Sequence, residues 1–167
     1  MSRIDEKGIT LPEVLASIVI AAIIGTLAYG ILFNGIKANE RIQAEAQLRD
    51  DADLIMAWFI QDLYTLRLSE INRMHFPEDA NPNNYYIETT SGQKIGFING
   101  KVQRLNGEVI SLSEDTSIIG SKIEAVEDEQ TGEMIEGLYR ITLVLTKEKV
   151  GETLEMVSEI SVFRDIS

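Results

Sequence analysis

The residue best placed to do chemistry in this chain is Glu13, a carboxylate at the edge of Val14–Phe33, 20 residues without a charged side chain. A carboxylate at a bilayer centre costs on the order of 2.5–3.5 kcal/mol, and at the margin of an apolar helix it costs less but still seeks a cation. Arg3 and Lys7 supply cations in the intact chain. If the chain were cut after Gly8, the new amine of Ile9 would be a cation four residues from Glu13. In a packed bundle the nearest such amine could also belong to a neighbouring subunit. This chemistry is charge pairing, and composition argues against most bond-making alternatives. With Cys 0 there is no thiol nucleophile, thiolate metal cluster or disulfide scaffold, and with His 1 there is no multi-imidazole site. His75 stands in a Pro- and Asn-rich stretch without a nearby nucleophile, which fits a packing or solvent-exposed role. No Gly-rich phosphate loop occurs. Glu127, Asp128, Glu129 and Glu133 form an acidic run. Its spacing is not that of an EF-hand, and a surface charge run is usually just solvated. No enzyme activity is expected.

The element that must position Glu13 is a helix. At about 1.5 Å per residue, Val14–Phe33 spans roughly 30 Å, the thickness of a bilayer hydrocarbon core. A buried helix of a soluble domain would normally keep a polar face, and this one has almost none. A cleaved secretory signal has a shorter apolar run ending in small residues, and no such site precedes Lys37. Gly25, Gly30 and Gly35 suit a membrane helix, where glycine permits close approach or bending. Arg3 and Lys7 before the span balance Lys37 and Arg41 after it, so charge alone leaves the orientation open.

At Lys7-Gly8-Ile9-Thr10-Leu11-Pro12-Glu13 the chain resembles the type IV prepilin family, which includes type IV pilins and the pseudopilins of type II secretion. The family pattern is a short charged leader ending in Gly, a hydrophobic residue, Thr, Leu, a variable residue, Glu and a long apolar helix. The resemblance implies that a prepilin peptidase cuts between Gly8 and Ile9 and that the Ile9 amine is methylated. It also implies that Glu13 pairs with a neighbour's N-terminus during assembly. Because some secretion pseudopilins bind calcium, the resemblance makes the acidic run Glu127, Asp128, Glu129 and Glu133 the one cofactor candidate, for calcium. The implied partners are other pilin or pseudopilin subunits, the prepilin peptidase, an inner-membrane assembly platform and the lipid bilayer. The implied location is the bacterial cytoplasmic membrane, crossed once, with the N-terminus cytoplasmic and the head outside. Pro12 fills the variable position, where a first helical turn tolerates it. Two features depart from the pattern: Asp5 and Glu6 balance the leader's charge, and Gly30 stands where a mid-span proline is frequent.

Beyond the span, Lys37 to Leu68 holds no proline or glycine, so the helix is expected to continue to about Leu68. Leu48, Ala52, Ile55, Phe59, Leu63 and Leu66 form one apolar stripe at three- and four-residue spacing. Asp50, Asp51, Asp53 and Asp62 are expected largely off it, on the solvated side, and Trp58 and Tyr64 are expected to pack. From Asn72 to Asn84 the pattern reads as loop. Strands are expected near Tyr85–Thr89, Lys94–Ile98, Lys101–Leu105, Val109–Leu112, Ser117–Val126, Leu138–Thr146 and Leu154–Phe163, with hairpin signals at Asn99-Gly100 and Asn106-Gly107. The fold class is therefore α+β: a long N-terminal helix, membrane-spanning in its first half, packed on an antiparallel sheet. The pilin-like fold is the architecture that the resemblance implies.

The organisation expected is a leader at 1–8, a transmembrane helix at 9–36, an amphipathic stalk at 37–68 and an α+β head at 69–167. Lys101–Leu105 followed by Leu112-Ser113 looks like the minor pseudopilins of the J type. A minor pseudopilin is one reading; a major or competence-type pilin, or an unprocessed membrane-anchored binding domain, are the others. Lys+Arg 15 against Asp+Glu 27 gives a net charge of -12, which repels phosphate backbones, so direct nucleic-acid binding is not expected.

Overall fold

The computed structural model describes residues 11–75, 84–128 and 130–163. One helix, α1, runs Leu11–Thr65 without interruption. The chain divides into two units, Met1–Glu40 and Arg41–Ser167. In the first, the helix is apolar all round: Leu15, Ile18, Ile24, Leu27 and Ile31 are all exposed. Among the described residues it is the one helix long and apolar enough to cross a membrane, with mean hydropathy 2.3 in its best window. Ser17 and Thr26 sit within this run, and their hydroxyls donate to the helix's own carbonyls, at Glu13 (2.8 Å) and at Ile23 (2.8 Å). Neither hydroxyl therefore needs water, which suits a helix in lipid. At the far end of the uncharged run, Tyr29 stacks on Phe33 and the Lys37 ammonium lies 4.5 Å from the Phe33 ring centroid. An aromatic pair beside a long cationic side chain is what a membrane–water interface favours.

In the second unit the helix is the spine of an α+β head. Leu48, Ala52, Ile55, Phe59 and Leu63 are buried along one stripe, as their spacing predicts. They meet two antiparallel sheets. The first is a meander of β1 (Ile71–His75), β2 (Tyr85–Thr89), β3 (Lys94–Ile98), β4 (Lys101–Gln103) and β5 (Val109–Ile110), paired in that order. In the second, β6 (Thr116–Ser117), β7 (Lys122–Glu127) and β9 (Glu152–Ser161) all pair with the long β8 (Met134–Lys147). The core joins Phe59 and Leu63 to Ile87, Ile95 and Phe97 of the first sheet and to Ile141, Leu143 and Leu145 of the second. Phe59 and Phe97 stand 5.4 Å apart, tilted by 56°. Each such side chain contributes roughly 1.5–3 kcal/mol by burial.

Asn99-Gly100 joins β3 to β4 with both φ angles positive, 52° and 70°, the two-residue turn whose twist matches its strands. Asn106-Gly107 is a longer turn, closed by Arg104 N–H on the Glu108 carbonyl, and only Gly107 has positive φ. Gly96, in the middle of β3, has φ 145°, and an added Cβ would overlap the Tyr85 carbonyl oxygen and lie 2.7 Å from the Tyr86 Cα. The sheet closes over this position because glycine leaves it room.

Several boundaries differ from those expected. The helix ends at Thr65 because Leu66 and Leu68 turn to pair with Phe163: the Leu66 carbonyl accepts from Phe163 N–H, and Leu68 N–H donates to the Phe163 carbonyl. A short 3-10 turn, Leu68–Glu70, follows, with Arg67 N–H held by the Glu70 carboxylate at 2.8 Å. The segment expected as loop begins as strand β1, which pairs with β2 through a register shift between Ile71 and Arg73, so His75 ends a strand opposite Tyr86. The single strand expected at Ser117–Val126 is two, β6 and β7, separated by a turn in which Gly120 has φ 96°. The strands expected at Lys101–Leu105 and Val109–Leu112 stop earlier, at Gln103 and Ile110.

Candidate functional site

Of the residues expected to carry processing, Gly8 and Ile9 lie outside the described residues. Glu13 sits in the first turn of α1. A carboxylate there lies at the positive end of the helix dipole. The large aliphatic side chains that follow it, Leu15, Ile18, Ile20 and Ile24 among them, are exposed. Glu13 is thus the last charge before an apolar surface, able to attract a cation and without an ion-pair partner among the described residues.

The acidic run resolves into a turn. Glu127 ends β7, and Glu129 lies outside the described residues. The Asp128 carboxylate accepts the backbone N–H groups of Gln130 (2.8 Å) and Thr131 (3.1 Å). Those bonds, first of all the one from Gln130, hold its carboxyl below the ordinary carboxylate range. Glu133 contributes its backbone carbonyl to Asp128 N–H. Asp128 is therefore occupied in shaping the turn, and among the described residues no group of three or more His, Asp or Glu side chains is placed to hold a metal ion.

Two aspartates expected on the solvated side of α1 are instead buried, at 9% exposure for Asp51 and 7% for Asp62. The reason lies in their partners. Asp62 takes a bidentate pair of hydrogen bonds from Arg104, at 2.8 and 3.2 Å, and a third from Leu105 N–H at 3.1 Å. The hydrogen bond to Asp62 pushes the Arg104 guanidinium further up from its ordinary value. That guanidinium lies 3.6 Å over the Trp58 ring, which accounts for Trp58 being half-buried while Tyr64 stays exposed. Asp51 accepts Ser113 Oγ at 2.5 Å, Ser113 N–H at 3.2 Å and Thr116 Oγ1 at 3.3 Å. The ammonium of Lys147, itself 5% exposed, donates to Ser113 Oγ at 3.0 Å and to the Glu114 carbonyl. The Ser113 hydroxyl thus bridges a buried anion and a buried cation. Asp50 and Asp53 are exposed, as expected.

These contacts gather on one stretch, residues 104–116, made of the β4–β5 turn, β5 and the link that carries the chain from the first sheet to β6 of the second. One carboxylate of α1 holds each end. Replacing Ser113 with Ala removes the bridge and should lower stability by about 2 kcal/mol, because hydrogen bonds to charged groups are the strong ones. Urea unfolding of the full chain, followed by the fluorescence of its one tryptophan, checks this; Ser111→Ala, at an exposed position, should leave the midpoint unchanged.

No protein-family model, curated protein or solved structure matches the chain. Its functional residues are therefore read from geometry and from the N-terminal motif alone. The two buried carboxylates have a signal in the sequence that composition masks. Leu48, Asp51, Ile55, Phe59, Asp62 and Leu66 recur at three- and four-residue spacing, so position places the aspartates on the buried stripe although residue type argues against it. Their partners lie 42 and 62 residues away along the chain.

Proposed function

We propose that this chain is a filament subunit of the type IV prepilin class, a minor pseudopilin that is cut by a prepilin peptidase between Gly8 and Ile9 and assembled through its N-terminal helix. The observation that carries this reading is the continuity of α1. A helix apolar all round from Val14 to Phe33 runs on, without a break, into the spine of a folded head, and the Gly8-Ile9-Thr10-Leu11-Pro12-Glu13 motif stands directly before it. A mere membrane anchor needs no such continuous join, since a flexible linker tethers a domain equally well. A subunit extracted from lipid into a filament does need one, because the pull must pass from helix to head.

In this mechanism the protein performs mechanical work without catalysis. The apolar helix rests in the bilayer until neighbouring helices replace the lipid around it. Glu13 sets its register by pairing with the amine of a neighbouring Ile9, an interaction strengthened by the low dielectric of the bundle. The likeness of Lys101–Leu105, followed by Leu112-Ser113, to the J-type minor pseudopilins is what favours that member within the class.

Co-expression with a prepilin peptidase followed by intact-mass and N-terminal analysis tests the reading. The expected product begins at methylated Ile9, and a Gly8→Leu variant should remain full length. A wild-type chain that keeps Met1 under those conditions would defeat the proposal and leave an unprocessed anchored domain. Glu13→Ala should insert into the membrane normally and yet enter filaments poorly, by about tenfold, the effect of losing an interaction worth about 1.4 kcal/mol; undiminished incorporation would rule out the pairing role.

A further inference from the structure

The head carries a cleft of about 230 Å³ between β1 and the start of β8. Ile71 and Met74 form one wall, and Ala125, Met134 and Tyr139 form much of the other. This is smaller than the roughly 300–1,000 Å³ of small-molecule sites and of a size to take a single large side chain. Methionines on both walls make the cleft adaptable, since their unbranched, polarisable side chains re-pack around different guests. The Tyr139 phenol, pushed up from its ordinary value by burial, stays neutral and keeps the floor uncharged.

The rim has a sign. Glu136 belongs to the lining, and Glu127 pairs across the strands with Met134, whose side chain is 61% exposed. Both carboxylates are exposed, and neither makes an ion pair among the described residues. Among the described residues, β1 ends its sheet and pairs with β2 alone, and β9 pairs with β8 only from Leu138 onward. Sheet edges of this kind accept an extended chain.

We propose that this cleft docks an extended segment of a partner protein that presents one large apolar side chain directly flanked by lysine or arginine. The apolar side chain enters between Met74 and Met134, and the flanking cation meets Glu136 and Glu127. Charge complementarity decides against an acidic or neutral segment, because like charge at a rim suppresses binding and opposite charge speeds and orients it. The inference stands apart from the filament reading and holds for any partner with that chemistry.

The test uses the full chain in lipid nanodiscs with its methionine methyl groups labelled with carbon-13. Met74 and Met134 report on the cleft, and buried Met56 serves as the internal control. The probes are three capped pentapeptides, Gly-Lys-Phe-Lys-Gly, Gly-Glu-Phe-Glu-Gly and Gly-Lys-Ala-Lys-Gly. The first should shift the Met74 and Met134 signals, leave Met56 in place and bind at least about tenfold more tightly than the other two. A Glu127→Lys, Glu136→Lys double variant, altered only at exposed positions, should reverse the preference between the first two. The proposal is overturned if neither signal moves at millimolar peptide, or if the lysine and glutamate peptides bind alike. It is equally overturned if the signals shift with protein concentration alone, which would give the cleft to a second copy of this chain.

Discussion

Replacing Asp62 with Ala should destabilise the head by about 3–5 kcal/mol, the cost of leaving a buried charge without its partner. The side chains of Asp62 and Arg104 are only 10% and 12% exposed, and their bidentate geometry leaves Arg104 nothing of equal quality to turn to. Glu108, at 3.4 Å and itself 60% exposed, is a weaker substitute. The loss should appear as a fall in the urea midpoint and in the melting temperature, together with a change in the emission of Trp58, on whose ring Arg104 lies. An Asp62→Leu, Arg104→Met pair should recover most of the stability, because an apolar pair of similar size removes the unpaired charge along with its partner. A loss below about 1 kcal/mol for Asp62→Ala would show instead that the pair behaves as a surface ion pair, with water able to replace the lost carboxylate.

The second large effect is expected at Gly96. An alanine there meets two obstacles at once: a φ of 145° that side chains rarely adopt, and a Cβ that overlaps backbone atoms of the neighbouring strand, at Tyr85 and Tyr86. Backbone strain of this kind costs about 1–3 kcal/mol, and the overlap cannot be relieved by turning a side chain. The variant should lose about 3 kcal/mol or more, or fail to accumulate folded. Gly100→Ala, which has φ 70° and open space around it, gives the cost of a milder positive φ without any overlap. It should cost about 1 kcal/mol, as φ > 0 costs a residue with a side chain. Equal losses at the two positions would show that the close approach at Gly96 contributes nothing.

Much of the fold is legible in the residues because local and global preferences agree there. β2 and β3 start and stop where expected: apolar residues punctuated by Asn99-Gly100 leave few alternatives. The helix is legible from the absence of proline and glycine and from its stripe, although its end is not. Nothing between Thr65 and Leu68 breaks a helix locally, and the turn-off comes from hydrogen bonds to Phe163, nearly a hundred residues later. β1 is hidden for the same reason. Ile71-Asn72-Arg73-Met74-His75 has no alternation, and only its pairing with β2 makes it a strand.

The candidate site divides along the same line. Gly8, Ile9 and Glu13 are singled out by a motif that is local and contiguous with the span; of the three only Glu13 lies among the described residues, in the first turn of α1. Asp51 and Asp62 are misread because a carboxylate on a helix in an acidic protein is ordinarily solvated. What reverses that expectation is a guanidinium and a serine far along the chain. Both Arg104 and Ser113 stand in segments the sequence singles out, yet nothing in one dimension joins them to the helix.

Asp51 and Asp62 stand eleven residues apart on α1, about three turns, so both face nearly the same direction. A one-residue screw of the helix, about 1.5 Å along and about 100° around its axis, would carry both carboxylates off Ser113 and Arg104 together. Directional bonds at two points therefore fix the register of this part of α1 against the strands, where an apolar stripe alone would tolerate small slips.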